Sequence, residues 1–573
     1  MNRLRPLRAC HPACYTCLFM RNIFLRLFCT LGLAATLSAQ TQTVGLFLND
    51  SLSVNGYTLF SNSKATFLID NCGFVVKRWD SDYPTLSAVY LLENGNLLRA
   101  GRVAGSFGNS GGIGGQLELF SWDGDLLWSY RFANDTMQQH HDIRPMPNGH
   151  ILVQAWEIKS EAAALAAGRR PDAVGATGLW PEWVAELEMV GADQANIVWE
   201  WHLWDHLVQN FDAGKDNFGV VAEHPERIDL NYFDAGSGPN AATDWVHSNA
   251  IAYNPELDQI ALCSRVFSEI WIIDHSTSTQ EAKGHTGGKY GKGGDILYRW
   301  GNPQTYGRGS NFDRRLFGQH DVRWVPAGYP FAGRLMVFNN GTNRPNGSFS
   351  SVDIWTPPTD APGVYQLETG LPYGPALADW SYAAPGFYSS NISGAHLLAN
   401  GNVFICEGQS GHFFEITPDQ IKVWDYINPV STLGPVPQGV VPGNNATFRA
   451  TRYPASYPAF AGKNLPPGAP VEQNPWPSDC VLYSETVSTL TGRPQPGVRL
   501  RNNPVGEELV LENPGGNRCR IEVYSSTGRP MASLSSAAET IRLDARRWPP
   551  APVWIRIVPA GAGQVTVLKA LKH

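Results

Sequence analysis

The sequence predicts an all-β chain in which a six-bladed β-propeller is followed by a small C-terminal β-sandwich. Three observations predict this fold class. A short strand–turn–strand unit recurs along most of the chain, tryptophan-containing strands recur at the end of these units, and helical periodicity is hard to find anywhere. The 57 glycines, 41 prolines and 19 tryptophans suit many short strands joined by tight turns.

The repeating unit opens with an apolar strand, turns at an Asn-Gly-like pair and continues as a second strand. Residues 90–98 and 397–405 show it clearly, with Asn94-Gly95 and Asn400-Gly401 at the turn. Opening strands precede five of the closing strands, and we assign residues 55–59 to the sixth. The six closing strands contain Trp79, Trp128, Trp199, Trp300, Trp380 and Trp424.

Changes in composition divide the chain into four parts. Residues 1–39 are typical of a secretory signal, with Arg21 and Arg26 before an apolar stretch at 27–37. Whether translation starts at Met1 or Met20 stays open. The other three parts are the propeller at 45–472, a linker at 473–497 and the sandwich at 498–573, where short alternating strands begin.

Charge and hydropathy exclude several classes of partner, whereas the cysteines leave the disulfide pairing open. The net charge of −7 and the pI near 6.1 indicate no binding to nucleic acid or to an anionic membrane surface. No stretch after the signal is long and apolar enough to span a bilayer. Five cysteines follow the signal, and the sequence leaves open whether Cys72 and Cys480 form a disulfide bridge. It also leaves the oligomeric state open.

One position of the repeat carries the candidate functional residues. Counting back seven residues from the turn of each unit reaches a histidine three times and a serine twice. A position that repeats around a closed ring of blades points its side chains at one place, at the mouth of the central channel. These residues are His141, His247, His320, Ser393 and Ser87.

Neighbouring residues add to this cluster. Asn249 lies two residues after His247 and so on the same side of its strand, and Arg265 follows in the next strand, where its guanidinium can reach back to clamp an anion. His140 alternates to the other face. Histidines that only plug the channel, or a three-histidine zinc site, are the competing interpretations. A fixed positive charge beside a metal dication is unfavourable, so we predict no metal and no cofactor.

Several of these stretches resemble the bacterial aryl sulfotransferase family. The motifs are 244–249 (Asp-Trp-Val-His-Ser-Asn), 264–269 (Ser-Arg-Val-Phe-Ser-Glu) and Gln319-His320-Asp321, within a resemblance that covers about residues 50–470. The resemblance implies a six-bladed propeller in the bacterial envelope. It also implies transfer of a sulfuryl group from a phenolic sulfate ester to a phenol, through a sulfated histidine and without a nucleotide donor. The sequence contains no phosphate-binding P-loop, which agrees with a sulfuryl donor that is not a nucleotide.

The resemblance also implies a role for each residue. His320 matches the nucleophile, His141 and His247 match two partner histidines, and Arg265 matches the sulfate-binding arginine. Two further matches are Asn249 with a sulfate-contacting asparagine and Ser393 with a hydroxyl residue. His140, adjacent to His141, is a third expected substrate contact.

The tail resembles a second family, the C-terminal sorting domains of type IX secretion. The resemblance rests on Asn503-Pro504-Val505, the strand pair at 508–524, Thr527-Gly528 and the basic end at 569–573. It implies export through the periplasm to the outer surface or the medium, with the type IX machinery as a partner. Two rival functions remain at this point: a non-catalytic propeller that binds sulfated or phenolic ligands, and a zinc-dependent sulfate-ester hydrolase.

Overall fold

The structure is a computed structural model that describes residues 41–572, except 86, 106, 108–110, 176, 233–241, 484–498, 502–504, 514–517, 526–529, 551 and 560–565. The expected signal peptide and several residues of the expected sorting motif lie outside the described residues. The protein is almost entirely β, with 44% strand and 6% helix. It forms two compact units, divided between residues 485 and 486.

In the described part of the first unit, six antiparallel sheets follow one another along the chain. From the innermost strand outward, the first sheet contains Ala450–Pro454, Gly56–Asp70 and Val75–Thr85. The second contains Val89–Leu91, Leu97–Arg102, Gly115–Phe120 and Leu126–Arg131; the third contains Met137–Pro145, Ile151–Glu157, Glu182–Val190 and Gln194–His202. The fourth contains Ser248–Asn254, Gln259–Ser264, Glu269–Asp274 and Tyr298–Trp300; the fifth contains His320–Trp324, Leu335–Asn339, Ser351–Trp355 and Trp380–Tyr382. The sixth contains Gly394–Leu397, Val403–Glu407, His412–Ile416, Lys422–Ile427 and Gly45–Asn49.

The hydrophobic core lies between neighbouring sheets. Six apolar clusters each join one sheet to the next, and one of them joins the sixth sheet to the first. Tryptophans of the closing strands, such as Trp128, Trp199 and Trp424, are buried in these clusters. Because each sheet buries a face against its neighbour, the sheets form a closed ring.

The ring of sheets is closed by strands from both ends of the segment that forms it. Gly45–Asn49 adds a fifth strand to the last sheet, whereas Ala450–Pro454 supplies the innermost strand of the first. Residues 55–59, which the repeat pattern assigns as the opening strand of that first sheet, instead begin its second strand, Gly56–Asp70. The pattern misses this exchange because a strand that comes from the far end of the chain has no repeat unit around it.

The Asn-Gly turns use the same chemistry in three sheets. The side-chain oxygens of Asn94, Asn148 and Asn400 each accept a hydrogen bond from the backbone N–H two residues later, at 2.9–3.0 Å. The glycine between them has a positive φ, for example 90° at Gly95. Turn and register therefore repeat together, which keeps the strand before each turn at a constant position.

Short elements and one disulfide complete the first unit. Cys72 and Cys480 are bonded, which ties the end of the unit to the first sheet. No helix among the described residues is long and apolar enough to cross a membrane. The helices are Glu161–Ala166 and Thr279–Ala282, with 3-10 turns at Pro171–Ala173, Leu203–Asp205, Val221–Glu223, Pro303–Tyr306, Gly408–Ser410 and Pro458–Phe460. Two-stranded pairs are Leu207–Val208 with Ile228–Asp229, Thr359–Ala361 with Val364–Tyr365, and Val430–Ser431 with Gly434–Pro435.

The second unit is a small β unit with its own core. Apolar residues of both its sheets, including Leu509, Ile521 and Ile555, form one buried cluster. One sheet contains Arg499–Leu500, Glu508–Glu512 and Thr540–Asp544; the other contains Pro530–Ser536, Cys519–Ser525, Pro552–Pro559 and Thr566–Leu571.

Candidate active site

Irregular backbone places the histidines of the repeat. The innermost strands of the third, fourth and fifth sheets each contain a register shift beside the predicted histidine. His141 and His247 have φ angles of 53° and 48°, and Asp321, directly after His320, has 57°. Left-handed backbone at a non-glycine residue costs about 1–3 kcal/mol and is concentrated at functional sites. The bulges thus change the direction of these side chains from that of a regular strand.

The imidazoles and the predicted arginine lie together. The rings of His141 and His247 are edge to face, with centroids 4.6 Å apart. Burial first, and then the positive charges of neighbours that include His247 and Arg265, lowers the pKa of His141 well below its usual value. Burial and then the charge of Arg265 lower the pKa of His320 in the same way. Residues of three sheets thus share one buried site, and two of its histidines are neutral at neutral pH.

The tautomer of His320 follows from its hydrogen bonds. The amide nitrogen of Asn340 donates to the carbonyl oxygens of Ser389 and Ile392, at 2.8 and 3.0 Å, so its side-chain oxygen faces His320 Nδ1, at 2.7 Å. Nδ1 therefore carries the proton. The backbone N–H of Ile392 donates to His320 Nε2 at 3.2 Å, so Nε2 holds the lone pair. A neutral Nε2 with a lone pair is the form of imidazole that acts as a nucleophile.

His247 is paired with a carboxylate. Its Nδ1 lies 2.5 Å from Asp244 Oδ2, three residues earlier in the chain. A carboxylate on Nδ1 fixes the tautomer and stabilises a positive charge on the ring. Asp244 thus holds the His247 ring in a fixed orientation next to His141.

A buried chain of three side chains ends at His141. Glu182 Oε2 lies 2.9 Å from His140 Nε2, and His140 Nδ1 lies 2.9 Å from His141 Nδ1. Burial raises the pKa of Glu182 well above its usual value, against the hydrogen bond from the Ser248 amide, and burial lowers the pKa of His140 to about 3. The ring of His140 also stacks on Trp156 with centroids 3.9 Å apart, which keeps it in place. His140 thus connects His141 to a carboxyl group instead of facing away from the site.

The chain of contacts from Glu182 to His141 has two proton arrangements. If Glu182 is protonated, it donates to His140, which donates to His141, and the proton of His141 is on Nε2. If Glu182 is ionised, its proton is on His140 Nε2 and the former Nδ1 proton of His140 is on His141 Nδ1. His141 Nε2 has then released its own proton and has a lone pair. One buried carboxyl group can therefore convert His141 Nε2 between an acid and a base, and the negative charge left by the released proton is on Glu182.

The other predicted residues have mostly positioning contacts. Asn249 is buried and donates to the carbonyl oxygen of Gln319 at 2.8 Å, which holds the residue before His320. The hydroxyl of Ser393 donates to Ser389 Oγ at 2.8 Å and accepts from the Gly408 amide at 2.9 Å. The Ser87 hydroxyl is buried and has no hydrogen-bond partner among the described residues. Among the described residues, none of these three side chains forms a hydrogen bond with the ring of His141, His247 or His320.

Sequence reasoning missed a buried ion cluster next to the histidines. Asp142 and Asp321 directly follow His141 and His320, and Arg449 lies between them. The Arg449 guanidinium is 3.0 Å from Asp142 Oδ2 and 3.0 Å from Asp321 Oδ1, with all three side chains buried. This bridge joins the strands that carry His141 and His320. The dipeptide His-Asp, which occurs at both positions, is the signal that could have found it.

Aromatic side chains line one side of the cluster. Phe107, Trp156 and Trp180 form one buried aromatic group, in which Trp156 lies 6.2 Å from the His141 ring and 6.3 Å from the His247 ring. Phe448 lies 6.1 Å from His141 on another side. Aromatic side chains of this kind pack well against an aromatic ligand.

A cavity of about 850 Å³ lies elsewhere on the same strands. Its lining includes Arg144, Arg323 and His396, each three residues after His141, His320 and Ser393. Since three residues of strand separate the two sets, the cavity and the imidazole cluster are at different positions along the innermost strands.

These features define an all-β protein with a buried cluster of histidines next to an arginine. The chain belongs to the arylsulfotransferase (ASST) family, whose sequence model matches residues 37–428. The resemblance inferred from the sequence motifs is confirmed at the level of the family, and with it a sulfotransferase. The sequence of no curated protein matches the chain.

Several solved structures match the chain at low identity and low TM-score. A protein of unknown function from Bacteroides caccae is 12% identical, with a TM-score of 0.37, over 70% of this chain and 99% of that one. The β-propeller domain of Swd1 from Myceliophteria thermophila is 11% identical, with a TM-score of 0.33, over 68% and 87%. Virginiamycin B lyase from Staphylococcus aureus is 9% identical, with a TM-score of 0.27, over 60% and 84%.

Proposed function

We propose that this chain transfers a sulfuryl group from a phenolic sulfate ester to a phenol in two steps, with His320 as the nucleophile. The observation that carries the proposal is the tautomer of His320, because Asn340 and Ile392 leave the lone pair on Nε2 in a site next to Arg265. Family membership supports the sulfuryl group as the group transferred. The six sheets are then the blades of a six-bladed propeller with the site on its axis.

In the first step the Nε2 lone pair of His320 attacks the sulfur atom. The bond between sulfur and the phenolic oxygen breaks, and its electron pair stays on the departing oxygen. That oxygen takes the proton from His141 Nε2, while protons move from Glu182 to His140 and from His140 to His141. The products are a free phenol, an N-sulfated His320 and an ionised Glu182. The 3.2 Å hydrogen bond from Ile392 must open for this attack.

The second step reverses the first with a new phenol. The acceptor loses its proton to His141 Nε2, and the protons return along His140 to Glu182. The phenolic oxygen then attacks sulfur, the N–S bond breaks and its electron pair returns to His320 Nε2. One acid–base group thus serves both steps, in opposite protonation states.

Positive charge and aromatic surface support this reaction. Arg265 offsets the charge on the sulfuryl oxygens in the transition state, next to the pair formed by His247 and Asp244. The group formed by Phe107, Trp156 and Trp180 supports an aromatic ring as the part of the substrate that is exchanged. Without Arg265 the site would lack the positive charge that the sulfuryl oxygens need. Without the aromatic group it would lack a surface for the ring of the phenol.

A transfer assay tests the proposal directly. Incubation with 4-nitrophenyl sulfate and phenol is expected to yield phenyl sulfate and nitrophenol in equal amounts, and His320→Ala is expected to abolish both. His275→Ala, a histidine outside the site, is the matched control and should retain the activity. Release of inorganic sulfate that needs zinc would instead identify a hydrolase. Tight binding of the ester without turnover would identify a binding protein.

We also propose that the chain is exported and that its C-terminal unit is a sorting domain of type IX secretion. A separate compact unit with its own core supports this, since such a unit can be recognised or removed without unfolding the ring of sheets. Deletion of residues 498–573 is expected to leave the protein inside a secreting host cell. Normal secretion of the truncated chain would contradict the proposal.

A further inference from the structure

A second histidine cluster lies far along the chain from the candidate active site. It is formed by His206, at the end of the 3-10 turn Leu203–Asp205, and by two residues of the glycine-rich loop 283–297, which follows the helix Thr279–Ala282. That helix contacts Gln194–His202, the outermost strand of the third sheet, and the loop leads into Tyr298–Trp300, the outermost strand of the fourth. The cluster therefore joins two neighbouring sheets at their outer edges.

Three ligand-type atoms meet in this cluster. Asp295 Oδ1 lies 2.8 Å from His206 Nδ1 and 2.8 Å from His285 Nδ1, and the three residues offer ligand atoms that all lie within 4.8 Å of one another. His206 and Asp295 are buried, whereas the side chain of His285 is 44% exposed. A partly open group of two imidazoles and one carboxylate is a common set of protein ligands for zinc.

The other contact of His206 orients it as a ligand. Its Nε2 lies 2.9 Å from the carbonyl oxygen of Ala282, and a carbonyl only accepts, so Nε2 carries a proton. Metal-ligating histidines almost always donate their second ring N–H in this way, to a carbonyl or a carboxylate. In the neutral ring the lone pair is then on Nδ1, which points at Asp295.

The loop is packed closely around these atoms. A Cβ at Gly294 would lie 1.9 Å from the Ala282 carbonyl oxygen and 2.6 Å from His206 Nε2, so only glycine fits there. Trp201 stacks on His206 with centroids 5.6 Å apart and donates to the Gly294 carbonyl oxygen at 2.7 Å. The position of His206 is thus fixed from two sides.

His275 provides a comparison within the same protein, because its ring contacts carboxylates in an ion pair. Both of its ring nitrogens face carboxylates, Asp258 Oδ1 at 2.7 Å and Glu186 Oε2 at 3.0 Å. Against the effect of burial, these carboxylates raise the pKa of His275 to about 9. Each ring nitrogen of His275 thus faces a carboxylate of its own, whereas in the other cluster the rings of His206 and His285 share one oxygen of Asp295.

We propose that His206 Nδ1, His285 Nδ1 and Asp295 bind a zinc ion that connects the outer edges of the third and fourth sheets. With ligand bonds of about 2.0 Å in a tetrahedral site, the ligand atoms need a separation of about 3.3 Å. Both nitrogen–oxygen distances must therefore increase by about 0.5 Å, which requires movement of the exposed His285 and of Asp295 in the glycine-rich loop. A water molecule takes the fourth position on the open side. The ion stabilises the fold and takes no part in the transfer reaction.

Zinc titration of the full-length, chelator-treated protein without a histidine tag tests this site. One zinc ion is expected to bind per chain and to raise the melting temperature. His285→Ala and Asp295→Asn are each expected to weaken zinc binding at least about tenfold and to remove the increase in melting temperature. His285 is exposed, so its variant should fold, and His275→Ala is the matched control that should bind zinc like the original chain.

Two results would overturn the proposal. In the first, zinc binds neither the original chain nor its variants, and the cluster is a buried ion pair. In the second, zinc binding survives in His285→Ala and Asp295→Asn but is lost in His247→Ala, which places the metal at the candidate active site. X-ray absorption at the zinc edge gives an independent readout, with two imidazole nitrogens in the zinc ligand set of the original chain but one in His285→Ala.

Discussion

The histidines at the centre of the ring and His275 near its outer part have opposite electrostatic surroundings. At the centre, burial and the charge of Arg265 lower the pKa values of His141 and His320. Near the outer part, Asp258 and Glu186 raise the pKa of His275 to about 9, although burial acts against them. Neutral rings next to a cation can attack and exchange protons, whereas a charged ring between two acids can only hold its neighbours together. Burial lowers the pKa of all three histidines, so the sign of the neighbouring charge is what distinguishes His275 from the other two.

The largest effect is expected when the ion bridge that supports the central histidines is removed. Arg449→Met is expected to lower the free energy of unfolding by about 3–5 kcal/mol, because it leaves the buried Asp142 without its ion-pair partner and Asp321 with Arg323 alone. The matched control is Arg78→Met in the exposed pair with Asp80, which should cost no more than about 1 kcal/mol. Urea denaturation measures both. Equal losses in the two variants would show that the Arg449 bridge does not support the site.

The next largest effect is expected when the central cation is removed. Arg265→Met is expected to reduce kcat for transfer about 10²–10³-fold, since it removes positive charge from the developing sulfuryl oxygens. Arg334→Met changes a partly exposed arginine paired with Asp379 and should leave kcat unchanged. If Arg265→Met altered only KM, the arginine would bind the ester without acting on the transition state.

A sharper test concerns the chain of contacts that ends at His141. Glu182→Gln cannot release a proton, so kcat is expected to fall about 10²-fold with phenyl sulfate, whose leaving phenolate is strongly basic. With 4-nitrophenyl sulfate, whose leaving group needs little protonation, the loss should be much smaller. Glu186→Gln, in the outer cluster, is the matched control and should affect neither substrate. A loss of the same size with both esters would indicate that Glu182 only shapes the site.

The smallest expected effect is the pH dependence of stability at His275. Its pKa is about 9 in the folded protein, above the usual value near 6.5 in the unfolded chain. Its contribution to stability is therefore complete below about pH 6.5 and is lost as the pH rises through about 9. The difference in unfolding free energy between the original chain and His275→Gln should accordingly shrink between pH 6 and pH 10. A difference that is constant over this range would contradict the ion-pair assignment.

The repeat made part of this arrangement predictable. His141, His247 and His320 could be grouped because the turns that follow them are spaced regularly, and the structure places the three rings near Arg265. The motifs around His247 and Arg265 also predicted the family, which is confirmed.

Contacts between distant parts of the chain were not predictable in the same way. Glu182 lies 42 residues from His140, and Arg449 lies 307 residues from Asp142, so no local pattern connects these partners. The innermost strand of the first sheet, Ala450–Pro454, escaped prediction for the same reason. The bulges were also invisible, because regular alternation would have turned His140 away from the site, whereas in the structure it lies between Glu182 and His141.

The central claim is that His320 accepts the sulfuryl group covalently. Intact-protein mass spectrometry after incubation with an aryl sulfate, and no phenol acceptor, measures this directly. The expected result is a gain of one sulfuryl group that maps to His320, disappears on addition of phenol and is absent in His320→Ala. An unchanged mass in an otherwise active enzyme, or a sulfuryl group that persists in His320→Ala, would contradict the account.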